Sequence, residues 1–196
     1  MASKLLLIRH AYTGDANRGK MVGSTDVPAD DQGLATVTRL RGVIKEYQPD
    51  GWFCSPMLRT RQTAERIFGK DLSHKVVFDE RLQEINFGRW EMLTYEEISR
   101  NDPEMLASWA QYTDFVFPEG ESVAAFASRV DEMWNRLRQH EAHTVVVVTH
   151  GGIIRKMICL ALGLPIKNYL LFNVEPAKMA VLDVYPEGAL LSGLNI

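Results

Sequence analysis

The chain has 196 residues, of which 46% are hydrophobic and 24% charged, and its formal net charge is -3. That length is enough for one domain over residues 1–196 with one hydrophobic core. The slight negative charge, with no polybasic run, excludes a nucleic-acid binder that relies on its overall field. The first apolar run, 5–8, is too short for a signal peptide or a membrane span, so we expect a cytoplasmic protein without a membrane partner.

Strand and helix patterns alternate along the chain. Short aliphatic or β-branched runs predict strands at 4–8, 51–54, 75–78, 143–149 and 179–185, the last suited to a sheet edge. Apolar residues at helical spacing and capping signals predict helices over 31–47, from Ser55-Pro56 onward, from the capping box Thr94-x-x-Glu97, over 123–137 and over 152–162. The alternation predicts a layered α/β domain with a mostly parallel sheet.

The two cysteines indicate neither a disulfide nor a metal site. Cys54 and Cys159 lie in apolar stretches and have no C-x-x-C spacing. We therefore expect two buried free thiols.

Two predicted strands end directly in a histidine, His10 and His150. The carboxyl ends of strands in an open α/β sheet border the ligand crevice, so the two side chains could meet there. His150 is followed by Gly151-Gly152 and a helix start, where backbone N–H groups and the helix dipole favour an anion. A purely structural hydrogen-bonding role is the alternative for each histidine. No H-x-H, H-E-x-x-H or acidic cluster at ligand spacing accompanies them, so a metal site is not expected.

Two arginines add to this pattern. Arg9 adjoins His10, and Arg59 follows the predicted strand 51–54. The planar guanidinium fork matches phosphate oxygens and stays charged at any working pH. Arg59 alone could equally lie on a solvated helix face, but beside two histidines it indicates a phosphate pocket.

Five motifs in order resemble a known family. They are Arg9-His10-x-x-Thr13, Ser55-Pro56-x-x-Arg59-x-x-Gln62-Thr63-Ala64, Leu82-x-Glu84-x-x-Phe87-Gly88-x-Trp90-Glu91, Glu119-Gly120-Glu121-Ser122 and Thr149-His150-Gly151-Gly152. Together they resemble the histidine phosphatase (phosphoglycerate mutase-like) superfamily from residue 4 to about 160. The resemblance implies a three-layer α/β/α sandwich with a mostly parallel mixed sheet, a helical cap insert at about 85–121, and catalysis without a metal or organic cofactor.

The resemblance also implies residue roles. His10 takes the position of the nucleophile that accepts the phosphoryl group as a phosphohistidine. Arg9, Arg59 and His150 would surround the transferring group, with the amide of Gly151 as a further donor. Glu84 takes the position of the proton donor to the leaving group, and of the base that later activates water.

The segment after His10 departs from the family pattern. Ala11 and Tyr12 stand where the family has glycine and commonly glutamate, and the pocket asparagine of the family falls at Ala16. Asn17, one position later, is a candidate substrate ligand. The other candidates are Lys20, at a common arginine position, Ser24 and Thr25.

The block 87–91 is similar to that of phosphatase members, α-ribazole-5'-phosphate phosphatases among them. We therefore expect a phosphomonoester hydrolase for a small phosphorylated metabolite, with α-ribazole 5'-phosphate as a candidate. The alternatives are a phosphoglycerate mutase and a catalytically silent phosphate-binding module. Cap aromatics that face the pocket would favour a ring-bearing leaving group; the candidates are Trp90, Tyr95, Trp109, Tyr112, Phe115 and Phe117. The sequence leaves the oligomeric state open, a dimer included.

Overall fold

A computed structural model describes residues 2–69, 76–109 and 115–196. The strands of this part of the chain are β1 (Lys4–Arg9), β2 (Gly51–Cys54), β3 (Val77–Phe78), β4 (Thr144–Thr149), β5 (Met179–Tyr185) and β6 (Gly188–Gly193). The α-helices are α1 (Asp31–Val37), α2 (Leu40–Glu46), α3 (Leu58–Phe68), α4 (Tyr95–Asn101), α5 (Pro103–Trp109), α6 (Val123–Arg138) and α7 (Gly151–Ala161). Short 3-10 helices cover Asp15–Asn17, Glu80–Leu82, Gly88–Trp90 and Ile166–Leu171.

The strands form one mixed sheet in the order β3-β2-β4-β1-β5-β6. Strands β3, β2, β4 and β1 are parallel, while β5 and β6 are antiparallel to their neighbours. The predicted mostly parallel mixed sheet is therefore confirmed. The position of β5 is not as predicted, because β6 continues the sheet beyond it and forms the edge. β6 (Gly188–Gly193) is short and has no fully buried residue. Its sequence therefore lacks the continuous or alternating apolar pattern from which a strand could be predicted.

Two hydrophobic clusters cover the two faces of the sheet. Successive strand residues point to opposite faces, so Leu5 and Leu7 belong to one cluster and Leu6 and Ile8 to the other. The first cluster contains the apolar faces of α6 and α7, and the second contains those of α1, α2 and α3. This is the three-layer α/β/α sandwich that the resemblance implies.

The predicted single helix over 31–47 is wrong, because the structure divides it into α1 and α2. Thr38 and Arg39 keep helical backbone angles. The amides of Thr38 and Arg41, however, bond to carbonyls three residues back, at 3.3 and 3.2 Å. This tighter winding places Val37 and Leu40, both fully buried, on the same side of the chain.

The helix predicted from Ser55-Pro56 begins later, at Leu58. The Ser55 hydroxyl does not cap it, because that hydroxyl bonds to His150 instead. The capping box is confirmed: Thr94 accepts from the Glu97 amide, and the Glu97 carboxylate accepts from the Thr94 amide. Both cysteines are free and buried, as expected. No helix in the described ranges is long and apolar enough to cross a membrane.

Residues 88–109 and 115–117 pack onto the α6–α7 face of the sheet. Trp90, Ile98, Leu106 and Phe117 belong to the same hydrophobic cluster as the apolar faces of α6 and α7. The boundaries of the predicted cap, about 85–121, stay a prediction. Lys75 of the predicted strand 75–78 and the cap residue Tyr112 lie outside the described residues.

Candidate active site

The parallel pairing of β1 and β4 brings the two strand-end histidines together. Arg9 is in register with Thr149, so the next residues, His10 and His150, leave the sheet side by side. Their ring centroids lie 5.1 Å apart with the rings tilted by 57°. The two histidines therefore meet at the carboxyl ends of the parallel strands, as the sequence predicts.

His10 presents an unprotonated nitrogen to the cleft. Its Nδ1 atom lies 2.7 Å from the Ala11 carbonyl oxygen. A carbonyl can only accept, so we assign the proton to Nδ1 and the lone pair to Nε2. Burial, followed by the charges of Arg9 and Arg59, holds the pKa of His10 well below its usual value. The imidazole is therefore neutral, as a nucleophile requires.

His150 is held from the other side of the site. Its Nε2 atom lies 2.8 Å from the Ser55 hydroxyl, and the histidine and the serine are both fully buried. Burial and the charge of Arg59 lower the pKa of His150 well below its usual value. When the Ser55 hydroxyl donates to Nε2, the proton of the neutral ring resides on Nδ1. Nδ1 can then donate to a ligand.

Arg59 lies at the start of α3 and donates hydrogen bonds to the loop 23–25. It is 1% exposed, and it donates to the carbonyls of Gly23 and Thr25 at 2.7 and 2.9 Å. That loop is fixed in turn by the Glu91 carboxylate, which accepts from the Ser24 amide and hydroxyl and from the Thr25 hydroxyl. The Glu91 carboxylate therefore fixes the loop whose carbonyls accept hydrogen bonds from Arg59.

Arg9, at the end of β1, donates to the Val174 carbonyl at 2.5 Å. Burial lowers the pKa of Arg9 to about 10, despite the opposing effect of Glu84. A value near 10 still leaves the guanidinium charged at neutral pH.

Three buried nitrogens of this site have no hydrogen-bond partner among the described residues: Arg9 Nε, Arg59 Nε and His150 Nδ1. An unpaired buried donor costs free energy unless a ligand satisfies it. Two guanidinium groups and an imidazole N–H beside the His10 lone pair suit a phosphoryl group, which supplies anionic acceptors.

Glu84 lies beyond the same carboxyl ends of the strands, in contact with the start of α7. Its carboxylate accepts from the amide of Gly152 at 2.9 Å and from that of Ile85 at 3.2 Å. A Cβ atom on Gly152 would clash with Glu84 Oε1, so only glycine allows this approach. A Cβ on Gly151 would lie 3.4 Å from the guanidinium carbon of Arg9.

Arg9, His10, Arg59 and Glu84 line a cleft of about 380 Å³, whereas the predicted residues His150 and Gly151 are buried behind it and are not among its lining residues. Asn17 and Lys20 line it, as predicted, and Asn17 also donates to the Thr13 carbonyl at 2.8 Å. Ser24 and Thr25 are not among its lining residues, because their hydroxyls bond to Glu91.

Ala11 and Tyr12, which differ from the family pattern, both have hydrogen-bond partners in the structure. Ala11 is fully buried, and its amide donates to the Thr63 hydroxyl at 2.9 Å. Tyr12 lines the cleft and donates its hydroxyl to Asp15.

Sequence reasoning missed several residues of the site. Arg155 lines the cleft, and its Nε atom donates to the Phe172 carbonyl at 2.8 Å. Its position one helical turn after Gly151 was the available signal. Ser55 and Thr63 belong to a recognised motif, but their partners, His150 and the amide of Ala11, lie far away in the sequence.

The cap aromatics do not separate into cleft residues and packing residues, because Trp109 also packs against Trp90 and Phe117, with ring centroids 6.0 and 5.7 Å apart. Tyr95 and Trp109 line the cleft. Trp90, Phe115 and Phe117 pack against one another, with centroids between 5.0 and 5.7 Å apart.

Within residues 2–69, 76–109 and 115–196, no group of three or more His, Cys, Asp or Glu side chains could hold a metal ion. The expectation of catalysis without a metal or organic cofactor stays a prediction.

Fold and site together define a phosphate-binding α/β protein with a paired-histidine centre. A sequence profile of the histidine phosphatase superfamily (branch 1) matches residues 5–196. The chain belongs to this superfamily, and it is a phosphatase.

Relatives cover nearly the whole chain. An adenosylcobalamin/alpha-ribazole phosphatase of Salmonella typhimurium is 27% identical, over 98% of this chain and 96% of its own. Phosphoserine phosphatase 1 of Hydrogenobacter thermophilus is 30% identical, over 98% of this chain and 92% of its own. The crystal structure of the alpha-ribazole phosphatase from Shigella flexneri superposes with a TM-score of 0.87 at 26% identity, covering 98% of this chain and 96% of that one.

Proposed function

We propose that this chain hydrolyses small phosphomonoesters through a phosphohistidine on Nε2 of His10. The observation that carries the proposal is the lone pair on His10 Nε2 beside three buried, unpartnered donor nitrogens. Attack on phosphorus forms the N–P bond as the ester O–P bond breaks. Arg9, Arg59 and His150 stabilise the charge on the equatorial oxygens.

Glu84 handles the proton in both halves of the reaction. Its carboxyl group donates a proton to the departing alkoxide, which would otherwise leave as a strong base. The resulting carboxylate then takes a proton from water as the water oxygen attacks phosphorus and the N–P bond breaks. The Gly152 amide fixes the carboxyl group at this edge throughout.

The leaving group we propose first is ring-bearing, with α-ribazole 5'-phosphate as the candidate substrate. An apolar recess of about 60 Å³ adjoins Glu84. Its apolar lining residues are Ile85, Phe87, Trp109, Phe117, Val123, Phe126, Ile166 and Tyr169. Aromatic and aliphatic walls beside a polar reaction centre favour a flat apolar group. The names of two of the relatives support the same choice.

Phosphoserine is the second candidate. Arg155 and Lys20 line the cleft in addition to the cations assigned to the phosphoryl group. They could bind a carboxylate on the leaving group. The 30% identical phosphoserine phosphatase supports this alternative.

The mechanism is tested with His10→Ala and Glu84→Gln. His10→Ala should abolish hydrolysis of p-nitrophenyl phosphate and the acid-labile phosphoenzyme seen on rapid quenching. Glu84→Gln should lose about 100-fold or more in kcat/KM on alkyl phosphates, and far less on p-nitrophenyl phosphate, whose leaving group needs no proton. Retained turnover in His10→Ala would refute the assignment of His10 as the nucleophile.

The substrate is tested by kcat/KM for α-ribazole 5'-phosphate, phosphoserine, the phosphoglycerates and sugar phosphates. A preference of several orders of magnitude for α-ribazole 5'-phosphate supports the first candidate. A preference for phosphoserine supports the second, and a flat profile contradicts both. A cytoplasmic location is part of the proposal, supported by two buried free thiols, which suit a reducing compartment.

A further inference from the structure

Glu84 lies on a segment that is outside the strands and α-helices. It follows the 3-10 helix Glu80–Leu82 and precedes the 3-10 helix Gly88–Trp90. Its carboxylate reaches α7, but its backbone has no ladder or helix of its own to fix it. The Thr149 hydroxyl, at the end of β4, donates to the Leu82 carbonyl at 2.7 Å. The carbonyls on either side of Leu82 need partners as well if the carboxyl group is to meet the leaving oxygen reproducibly.

Arg129, on α6, makes that connection with its whole guanidinium group. Nη1 donates to the carbonyls of Arg81 at 2.9 Å and Gln83 at 2.7 Å. Nη2 donates to the Glu84 carbonyl at 3.3 Å. One side chain thus bonds three carbonyls within four residues, ending on Glu84 itself.

The remaining donors of Arg129 face Glu121. Nε lies 2.7 Å from Glu121 Oε1, and Nη2 lies 2.9 Å from Oε2. Glu121 also accepts from the Asn86 amide at 3.3 Å, and its own amide donates to the Asn86 carbonyl at 2.9 Å. The pair therefore spans the segment 81–86 on both sides of Glu84.

Arg129 and Glu121 are themselves held by a long helix and by partial burial. Arg129 projects from the 16-residue helix α6, and its guanidinium lies 4.9 Å from the centroid of the Phe126 ring on the same helix. The side chains of Arg129 and Glu121 are only 20% and 17% exposed, so solvent screens their ion pair less than a surface pair. Arg129 does not line the cleft, so it acts through Glu84 and not on the substrate.

We propose that Arg129, clamped by Glu121, is the positioning residue for the proton donor Glu84. This rests on the proposed role of Glu84. A misplacement of the carboxyl group by about 1 Å is enough to cost roughly 100-fold in proton transfer. Because only poor leaving groups need the proton, the loss should depend on the substrate.

The test compares an alkyl phosphate with p-nitrophenyl phosphate in Arg129→Met and Arg129→Lys. We expect kcat/KM, which reports the steps up to phosphoenzyme formation, to fall about 10- to 100-fold on the alkyl phosphate in Arg129→Met, with less than about 3-fold change on p-nitrophenyl phosphate. Arg129→Lys keeps the charge but cannot span three carbonyls, so it should show the same selective loss to a smaller degree. In the Glu84→Gln background, Arg129→Met should add almost nothing, because the proton donor is already absent.

Arg138→Met is the matched control. Arg138 is on the same helix, donates to the carbonyls of Tyr185 and Pro186, and lies over the Trp134 ring. None of these contacts involves the segment 81–86. It should leave the ratio of the two activities unchanged.

Equal losses on both substrates in folded Arg129→Lys, or full activity on the alkyl phosphate, would overturn the inference. A Glu84→Gln enzyme that shows no substrate dependence would instead refute the acid role of Glu84, and the inference with it. A selective loss in Glu84→Gln with none in either Arg129 variant refutes the positioning role alone.

Discussion

Replacing Ser55 by alanine removes the hydroxyl that favours the Nδ1-protonated tautomer of His150 when it donates to Nε2. The hydroxyl lies 2.8 Å from Nε2, and both residues are fully buried, so water cannot easily take its place. Without it, the proton of the ring can move to Nε2, and Nδ1 then loses the hydrogen with which it donates to the phosphoryl group. The net worth of one hydrogen bond is about 0.5–1.5 kcal/mol, so the ratio of the donating to the non-donating tautomer should fall by roughly 2- to 13-fold, which is the upper limit for the loss of the donating form.

The assay is single-turnover formation of the phosphoenzyme, which isolates phosphoryl transfer from product release. We expect Ser55→Ala to slow it by about that factor, and the buried imidazole left without a partner should cost about 1–3 kcal/mol in urea unfolding. Ile44→Val is the control, because it removes one methylene from a buried residue of α2, at about 0.5–1.5 kcal/mol, in the other hydrophobic cluster and away from the cleft. If Ser55→Ala is destabilised to the expected degree but transfers phosphate at the full rate, the tautomer argument is refuted.

The pKa values of His10 and His150 are lowered by burial, so both rings should remain neutral in NMR titrations well below pH 6.5. The unfolded chain then binds more protons than the folded one, so stability in urea should decrease as pH falls through about 6.5 and below; an increase would contradict the shifts. Glu91→Gln weakens the loop that holds Arg59, and we expect about a 10-fold loss of kcat/KM on alkyl and p-nitrophenyl phosphates alike; a loss confined to alkyl phosphates would be inconsistent with this route. Gly152→Ala should push Glu84, the proposed proton donor, away and lower kcat/KM roughly 100-fold on alkyl phosphates and much less on p-nitrophenyl phosphate; an unchanged kcat/KM on alkyl phosphates would show that the helix start can shift to make room.

The parts of the site that follow directly from strand patterning could be predicted from the sequence. His10 and His150 each end a strongly aliphatic strand, and parallel strands deliver their carboxyl ends to one edge. The face assignment also follows from simple alternation along those strands. Helix breaks and weak edge strands such as β6 could not be predicted, because tertiary packing decides them.

The supporting residues escaped sequence reasoning for a different reason. Ser55 has the right type and place for a helix cap, and only its contact with His150, 95 positions away, assigns its hydroxyl elsewhere. Arg129 likewise reads as one polar residue of an amphipathic helix, yet it bonds carbonyls 45 to 48 positions earlier. Local patterns contain no information on such distant partners.

The strand order has a consequence for a chain that emerges from the ribosome one end first. β1, which leads to His10, is synthesised well before its sheet neighbours β4 and β5, because both follow it at a large distance in the sequence. β2 and β3 can pair with each other early, whereas β1 finds no edge to join until residues 144–149 have been synthesised. His10, the proposed nucleophile, is therefore translated before the strands that place it in the sheet, and a nascent chain halted before β4 carries His10 without a pocket around it.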